Sequence, residues 1–453
     1  MRPLSRSNKV TVSLAEALRT AIELHRQGRR GEAEILYLAV LENEPENVDA
    51  LHFLGILRHQ QGRRELAVEL VSRAVEVKPD YVDAQNNLGN IHQEVGNLEA
   101  ASACYEKALN LRPHDLNALK NQGTVLRKLG RLTASVAVLQ QAQARAPQDV
   151  DLLHSLASSY RKLARHDEAA ACLQTALAQR PNPQGFLLLG ATYYVAGRIA
   201  EAAATYAAWL GAEPDNPIAR HMVVACQSQG GTAAGDLPAR ADDAFIGQLF
   251  DGFASRFEEV LERLEYRGPA LLAAALARSL GPPRADQIVL DAGCGTGLVA
   301  PVVRPYAHRL VGVDLSAKML EKAARRSLYD ETVQAELTAF LRSHPAGFDI
   351  VASADTLIYF GDLTHVLAAA AAALRPGGTL FFTLERAFDE SRTRDGVRLN
   401  PHGRYSHTPA HVRDKLAAAG LAALEISDAI IRRENVDEVA GLVVAARRAT
   451  AAS

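Results

Sequence analysis

The strongest constraint on this chain is a period. Pro45, Pro79, Pro113, Pro147 and Pro181 recur every 34 residues, and Pro214 follows one residue early. Gly28, Gly62, Gly96 and Gly130 keep the same step, with Ala164 and Gly197 continuing the series. A third series is small throughout: Ala33, Ala67, Ala101, Ser135, Ala169, Ala202. A fourth runs Gly55, Gly89, Gly123, Ala157, Gly190. A fixed period of this length marks one supersecondary unit stacked on copies of itself. The small residues let two helices approach, the glycine breaks the chain between them, and the proline ends the second helix. Six such units are predicted over residues 14 to 217, with a capping helix from Ile218 to Gln227.

The third repeat carries the pattern most fully: Ala84-Gln85-Asn86-Asn87-Leu88-Gly89-Asn90, then Gly96, Ala101, Tyr105, Ala108 and Pro113. It resembles the tetratricopeptide repeat (TPR) family; Ala157 and Ala164 in repeat five depart from it. The resemblance implies a superhelix whose concave groove is lined by the first helix of each repeat. That places His52, His59, Asn86, Asn90, Lys120, Arg127, His154 and Arg161 in the groove. A protein or peptide is the expected partner, although any one of these residues alone reads as an ordinary solvated face. Cys104 and Cys172 share a repeat position and are expected to pack.

Charge narrows the partners further. The formal net charge is −2, with both signs spread through both halves. Neither nucleic acid nor an anionic membrane is expected to bind. The four cysteines form no CxxC and no Cys/His cluster, so neither a metal site nor a disulfide framework is expected. A reducing cytoplasm is the expected location. The N-terminal residues lead into an amphipathic stretch without an apolar signal core, and no segment has the length of a membrane span, so no membrane insertion is expected.

From Ser228 to Asp243 the repeats stop, and the small, polar, turn-rich run to Pro238 reads as a linker between movable halves. The expected domains are therefore residues 1–227 for the repeats, 228–243 for the linker and 244–453 for the remainder. Just beyond the linker, Phe250, Phe253 and Phe257 fall at helical spacing. They read as a packing face or, functionally, as a lid, with Arg256 available to a carboxylate. Strands are then predicted over 287–292, 309–314, 348–352, 377–384, about 422–432 and 440–447. Helical patterns separate most of them, which implies a parallel-rich sheet covered on both faces. The last two strands, joined around Glu434-Asn435-Val436-Asp437, are expected to form an antiparallel edge.

Val289-Leu290-Asp291-Ala292-Gly293-Cys294-Gly295-Thr296-Gly297-Leu298 reads as a strand, a glycine turn and a helix start. The glycines give G-x-G-x-G, whereas a dinucleotide site wants its third glycine at position 298, which is Leu298. Asp291 precedes the turn, where it suits a cationic amino acid better than a pyrophosphate. Asp314 ends the second strand, where a carboxylate can hold a ribose diol. This set resembles the class I S-adenosylmethionine (SAM)-dependent methyltransferases, and Phe348 to Asp362 and Leu374 to Leu380 look like their fourth strand and the turn into their fifth. The resemblance covers about 244–447, and the implied fold is an all-α TPR superhelix followed by an α/β Rossmann-like domain.

By the same resemblance, Gly293, Gly295 and Gly297 admit the methionine part of SAM and Asp291 supports its ammonium. Asp314 binds the ribose, Leu315 packs on the adenine, and Glu336-Leu337 falls where the adenine amine is held. Methyl transfer to an O, N or C acceptor is implied. Asp355, Tyr359 and His407 are candidate catalytic residues, with Asp362 and Glu385 as further bases. Tyr359, Arg404 and Tyr405 are candidate acceptor contacts; His407 also reads as merely opening the helix from Pro409. Alternatives are a TPR scaffold with a SAM-binding but weakly active domain and, disfavoured by Leu298, an NAD-dependent oxidoreductase.

Overall fold

The computed structural model describes residues 13–230, 237–390, 393–434 and 437–450. Its contacts form two compact units, Met1–Ala196 and Gly197–Ser453.

The first unit is a stack of helix pairs, from Leu14–Arg26 to Pro183–Val195. The sequence period has a direct backbone cause. Gly28, Gly62, Gly96 and Gly130 all have positive φ, between 76° and 86°, ending one helix so that the next can fold back. Ala164 takes the same left-handed conformation at φ 57°, despite its Cβ. The fourth series sits where helices touch. A Cβ on Gly55 would meet Val71 at 2.4 Å, and one on Gly89 would meet Tyr105 at 2.6 Å. Asn47, Asp115, Asp149 and Asn182 accept N–H bonds from the first turns of their helices. Cys104 and Cys172 are both buried, as packing residues should be.

Several predicted groove residues are tied to neighbours instead of standing in solvent. His52 is buried between Tyr81 and Asn87, bonded to both. Asn90 accepts from Tyr105 and Asn121, and Lys120 pairs with Asp149 at 2.7 Å. His59 and Asn90, with Asn87 and Glu94, line a cavity of about 220 Å³.

The second unit begins with the helices Ile199–Ala212 and Pro217–Gln227. The second of these packs into the rest of its unit. His221 donates from Nε2 to the Gly403 carbonyl at 2.8 Å and stacks on Phe245 at 4.0 Å. Ala225 is buried with Val397, Leu399 and Tyr405. Of the stretch read as a linker, residues 231–236 lie outside the described residues. The rest docks: Gly361 and Asp362 donate N–H bonds to Ala239 O at 2.9 and 2.7 Å, and Ala241 donates to Tyr359 O at 2.8 Å.

Among the described residues nine strands form one sheet: β1 Gln287–Ala292, β2 Ala307–Asp314, β3 Glu331–Gln334, β4 Phe348–Ser353, β5 Leu374–Arg386, β6 Val397–Leu399, β7 Tyr405–His407, β8 Leu421–Glu434 and β9 Asp437–Arg448. The parallel order is β3-β2-β1-β4-β5, with β9 antiparallel on β5 and β8 outside β9. The six predicted strands are present, most of them longer than expected. Asn435 and Val436, predicted in the β8–β9 connection, lie outside the described residues. The hairpin of β6 and β7 in the insert 387–409 was not predicted, because its strands are only three residues long. Side chains alternate between two cores: Leu290, Val311 and Val351 on one face, Val289, Leu310 and Ile350 on the other. The chain order reverses between β1 and β4, so a crevice opens at their carboxyl ends. Among the described residues no helix is long and apolar enough to cross a membrane.

Candidate active site

The crevice is a cavity of about 290 Å³, and the ends of β1, β2, β4 and β8 supply its floor. β1 turns at Gly293, Gly295 and Gly297, all at positive φ. The three glycines differ in use. A Cβ on Gly293 would run into the Thr356 hydroxyl at 2.1 Å, and one on Gly297 would press Arg326 and Tyr329 from inside. A Cβ on Gly295 would meet only Phe257, at 3.9 Å, so it would project into the cavity. The amide of Gly295 donates to Asp314 Oδ2 at 2.8 Å, and Ser316 N donates to Oδ1 at 2.9 Å. Asp314 thus latches the glycine turn to the end of β2, and it lines the cavity with Leu315, Glu336 and Leu337. Glu336 also caps the helix Leu337–Arg342 through Thr338 N and Ala339 N.

Asp291 sits elsewhere than expected. It is fully buried and absent from the cavity wall. Its Oδ2 accepts from Tyr329 at 2.6 Å, while Oδ1 has no partner. Burial raises its pKa to about 7, against the opposing pull of the Tyr329 bond. The physical reason for this placement is the pleat: β1 points Leu290 and Asp291 to opposite faces, and Tyr329 closes over the carboxyl from behind the glycine turn.

Opposite the glycine turn, the helices Asp243–Phe253 and Phe257–Arg263 wall the cavity. Phe250, Phe253 and Phe257, expected mainly as packing residues, all face it, with Ile246, Leu261 and Leu264. Phe250 meets Tyr359 edge-on at 5.7 Å. This wall is pinned to the sheet: Ser316 Oγ donates to Asp251 at 2.5 Å and Arg326 pairs with Glu258 at 2.8 Å. Arg256 is not on the cavity wall.

The remaining end of the cavity is ionic. Asp355, Tyr359, Arg404, Arg432 and Glu434 line it, together with Tyr266. Arg432 donates to Asp355 at 2.9 Å, to Glu434 at 2.9 Å and to Glu385. Arg404 donates to Glu385 at 2.6 Å and to Glu434 at 2.5 Å. Asp355 is held at φ 51° by Thr383, which bonds its N–H and its carboxylate. Both of its oxygens are therefore occupied, and burial raises its pKa against the pull of Arg432. Burial also raises Glu385, but Arg404, His402 and Arg432 outweigh it and hold that carboxyl well below its ordinary range.

Two candidates from the sequence are displaced from the cavity. His407 is fully buried in β7, where Nε2 donates to the Gly361 carbonyl at 3.3 Å. Burial lowers its pKa to about 3, so it stays neutral and has no route to an acceptor. Tyr405 is also fully buried and donates to Pro238 O at 2.9 Å. Both are drawn inward because β7 pairs with the end of β5, which turns alternate residues into the core. Asp362 is spent on Thr364 and Lys415. Sequence reasoning missed Arg432, Glu434, Tyr266 and Tyr329. The one available signal was Arg432-Arg433-Glu434, a charged run at the end of an otherwise apolar strand pair.

A seven-strand core ordered β3-β2-β1-β4-β5-β9-β8, with an acid-latched glycine turn at its switch point, defines the Rossmann-like fold of class I methyltransferases. Comparison with known proteins agrees. Residues 290–382 match the model of the family described as "Methyltransferase domain", and residues 18–82, 80–148 and 154–217 match models of the tetratricopeptide repeat. The chain therefore joins TPR repeats to a methyltransferase domain. It is 39% identical over 110 residues to a ubiquinone biosynthesis O-methyltransferase of Thiobacillus denitrificans, covering 23% of this chain and 47% of that protein. It is 32% identical over 142 residues to a malonyl-[acyl-carrier protein] O-methyltransferase of Enterobacter lignolyticus, covering 31% and 54%. The chain thus spans about half the length of these curated relatives. Among solved structures, YrrB, a TPR protein with an unusual peptide-binding site, shares 21% identity over 41% of this chain and 96% of its own, with a TM-score of 0.37.

Proposed function

We propose that the protein is a SAM-dependent methyltransferase of the cytoplasm, acting on an O, N or C acceptor, with a repeat domain that recruits a protein or peptide. The observation that carries the reading is the latch between Gly295 N and Asp314, which opens a side-chain-free surface beside a fixed carboxylate. That donor set fits a nucleoside bearing a cationic amino acid. Asp314 keeps acceptor capacity for the ribose, because Gly295 N and Ser316 N bond different oxygens of a carboxylate that has about four lone-pair sites. Leu315, Leu337 and Met319 offer an apolar slot for a base, with Glu336 at its edge. Asp291 acts from beneath the turn, as a buried carboxyl with one oxygen unpaired, not as a wall contact.

The bound cofactor would supply a methyl group on a cationic sulfur. The chain's own contribution is positioning and exclusion of water. Phe250, Phe253 and Phe257 close the cavity over the transfer line, and a dry, oriented site accelerates a bimolecular displacement with no acid or base needed for a good nucleophile. Tyr359 and the ionic end face the acceptor. The division 1–227, 228–243 and 244–453 is kept as a division of roles, with the groove of the first part as the partner site; the helix Pro217–Gln227 at the end of that part nonetheless packs within the second compact unit.

Calorimetry tests this reading. SAM and its demethylated product should bind the intact chain and NAD should not; Asp314→Ala should weaken SAM binding by at least about a hundredfold, on the order of 3 kcal/mol for two charge-assisted bonds. Tight NAD binding with no response to SAM would sink it.

A further inference from the structure

The acceptor end of the cavity has an unusual charge inventory. Its two guanidiniums, Arg404 and Arg432, are fully engaged by three carboxylates, Asp355, Glu385 and Glu434. His402, beside Glu385, adds no charge near neutrality, since burial and Arg404 bring its pKa to about 4. Whether or not Asp355 carries a proton, no positive charge is left uncompensated. An anionic acceptor entering here would find no unpaired guanidinium among the described lining residues, since Arg240, the third of them, is paired with Asp243, and it would face the Glu434 carboxylate on the wall. Burial pushes Glu434 up, but Arg404 and Arg432 outweigh it, so this carboxylate stays ionised.

Two hydroxyls complete the end wall. Tyr266 and Tyr359 both line the cavity, and neither hydroxyl hydrogen-bonds to a described residue. Apolar side chains add to the lining: Phe250, Phe253, Phe257, Leu261 and Leu264. A ligand that matches such a wall is flat and apolar along its length. It carries one uncharged hydroxyl that can donate to a carboxylate and accept from a tyrosine.

We propose that the methyl acceptor is an uncharged aromatic hydroxyl compound, oriented by Glu434, Tyr266 and Tyr359, and that acceptors bearing a carboxylate are excluded. This rests on the methyltransferase reading above. In the transfer, the phenolic oxygen forms a bond to the methyl carbon while the carbon–sulfur bond breaks and sulfur keeps the electron pair. The phenol grows acidic as its oxygen is alkylated, and its proton passes to the Glu434 carboxylate and on to water. Glu434 accepts from the substrate hydroxyl, whereas Arg404 and Arg432 are positioning residues that hold Glu434 in place.

The test uses a matched pair of probes that differ only at the group presented to Glu434, para-propylphenol and para-propylbenzoate, on the full chain saturated with S-adenosylhomocysteine. Calorimetry should show the phenol binding at least about tenfold more tightly than the benzoate, a difference of roughly 1.4 kcal/mol. With SAM instead, methyl label should appear on the phenol's oxygen and not on the benzoate. Glu434→Gln should remove the discrimination by improving benzoate binding about tenfold. Tyr359→Phe, which keeps the ring and its packing, should weaken the phenol several-fold if Glu434→Gln folds poorly. Equal or tighter binding of the benzoate would overturn the proposal, as would binding of neither probe by a chain that binds S-adenosylhomocysteine. Failure to bind S-adenosylhomocysteine at all would instead sink the methyltransferase reading itself.

Discussion

At the scale of the residue, the same amino acid serves different ends according to the face it is folded onto. Asp291 and Asp314 are two acids flanking one glycine turn, and the sequence reads them as a pair. The structure separates them: Asp314 latches the turn and faces the cavity, while Asp291 is sealed beneath it against Tyr329. The spacing of acids and glycines was legible because the turn is local. The burial of Asp291 was not, because it depends on Tyr329, 38 residues further on. A consequence follows for stability. With Asp291 raised to about 7 from 3.8, its contribution is fully present below about pH 4 and is lost as pH rises through 7. Asp291→Asn should therefore gain melting temperature relative to the parent chain as pH goes from about 4 to about 8. A difference that stays flat with pH would mean the carboxyl titrates normally. Ala164 offers a second check. It occupies the left-handed position that glycine holds in repeats one to four, so Ala164→Gly should stabilise the repeat array by about 1 kcal/mol, read by thermal denaturation.

At the scale of the element, the long strands were visible and the short ones were not. β1, β2 and β4 announce themselves as apolar runs, since both faces of a central parallel strand are buried. β6 and β7 are three residues each and draw their definition from pairing with one another and with the end of β5. That pairing carried His407 and Tyr405 into the interior and left Arg404, one residue earlier, facing the cavity. The helix Pro217–Gln227 shows a related limit. Its repeat pattern marks it as a cap, yet its His221 and Ala225 are buried against Gly403, Phe245 and the β6–β7 hairpin. His221→Ala should lower the melting temperature by several degrees, about 2–4 °C for each 1 kcal/mol lost, and should loosen the segment carrying Arg404. Hydrogen exchange at residues 398–405 would report that loosening; protection unchanged from the parent chain would refute it.

At the scale of the whole molecule, the second compact unit begins at Gly197, thirty-one residues before Ser228, where the repeats stop. A chain starting at Gly197 should fold cooperatively and bind S-adenosylhomocysteine. One starting at Ser228 should melt at least about 5 °C lower, having lost the helix that buries His221. Equal stability of the two would show that helix to be dispensable. What the sequence determined by itself was everything written in short-range periodicity: the 34-residue repeat, the strand rhythm, and the glycine turn with its two acids. These depend on φ preferences and on helix and strand periods, which neighbouring residues set among themselves. What only the tertiary structure decided was which charges meet. Arg432 reaches Asp355, 77 residues away, and Glu385, 47 away. Coulombic pairing in a buried cavity depends on which strand ends converge there, and no local pattern in the chain encodes that convergence.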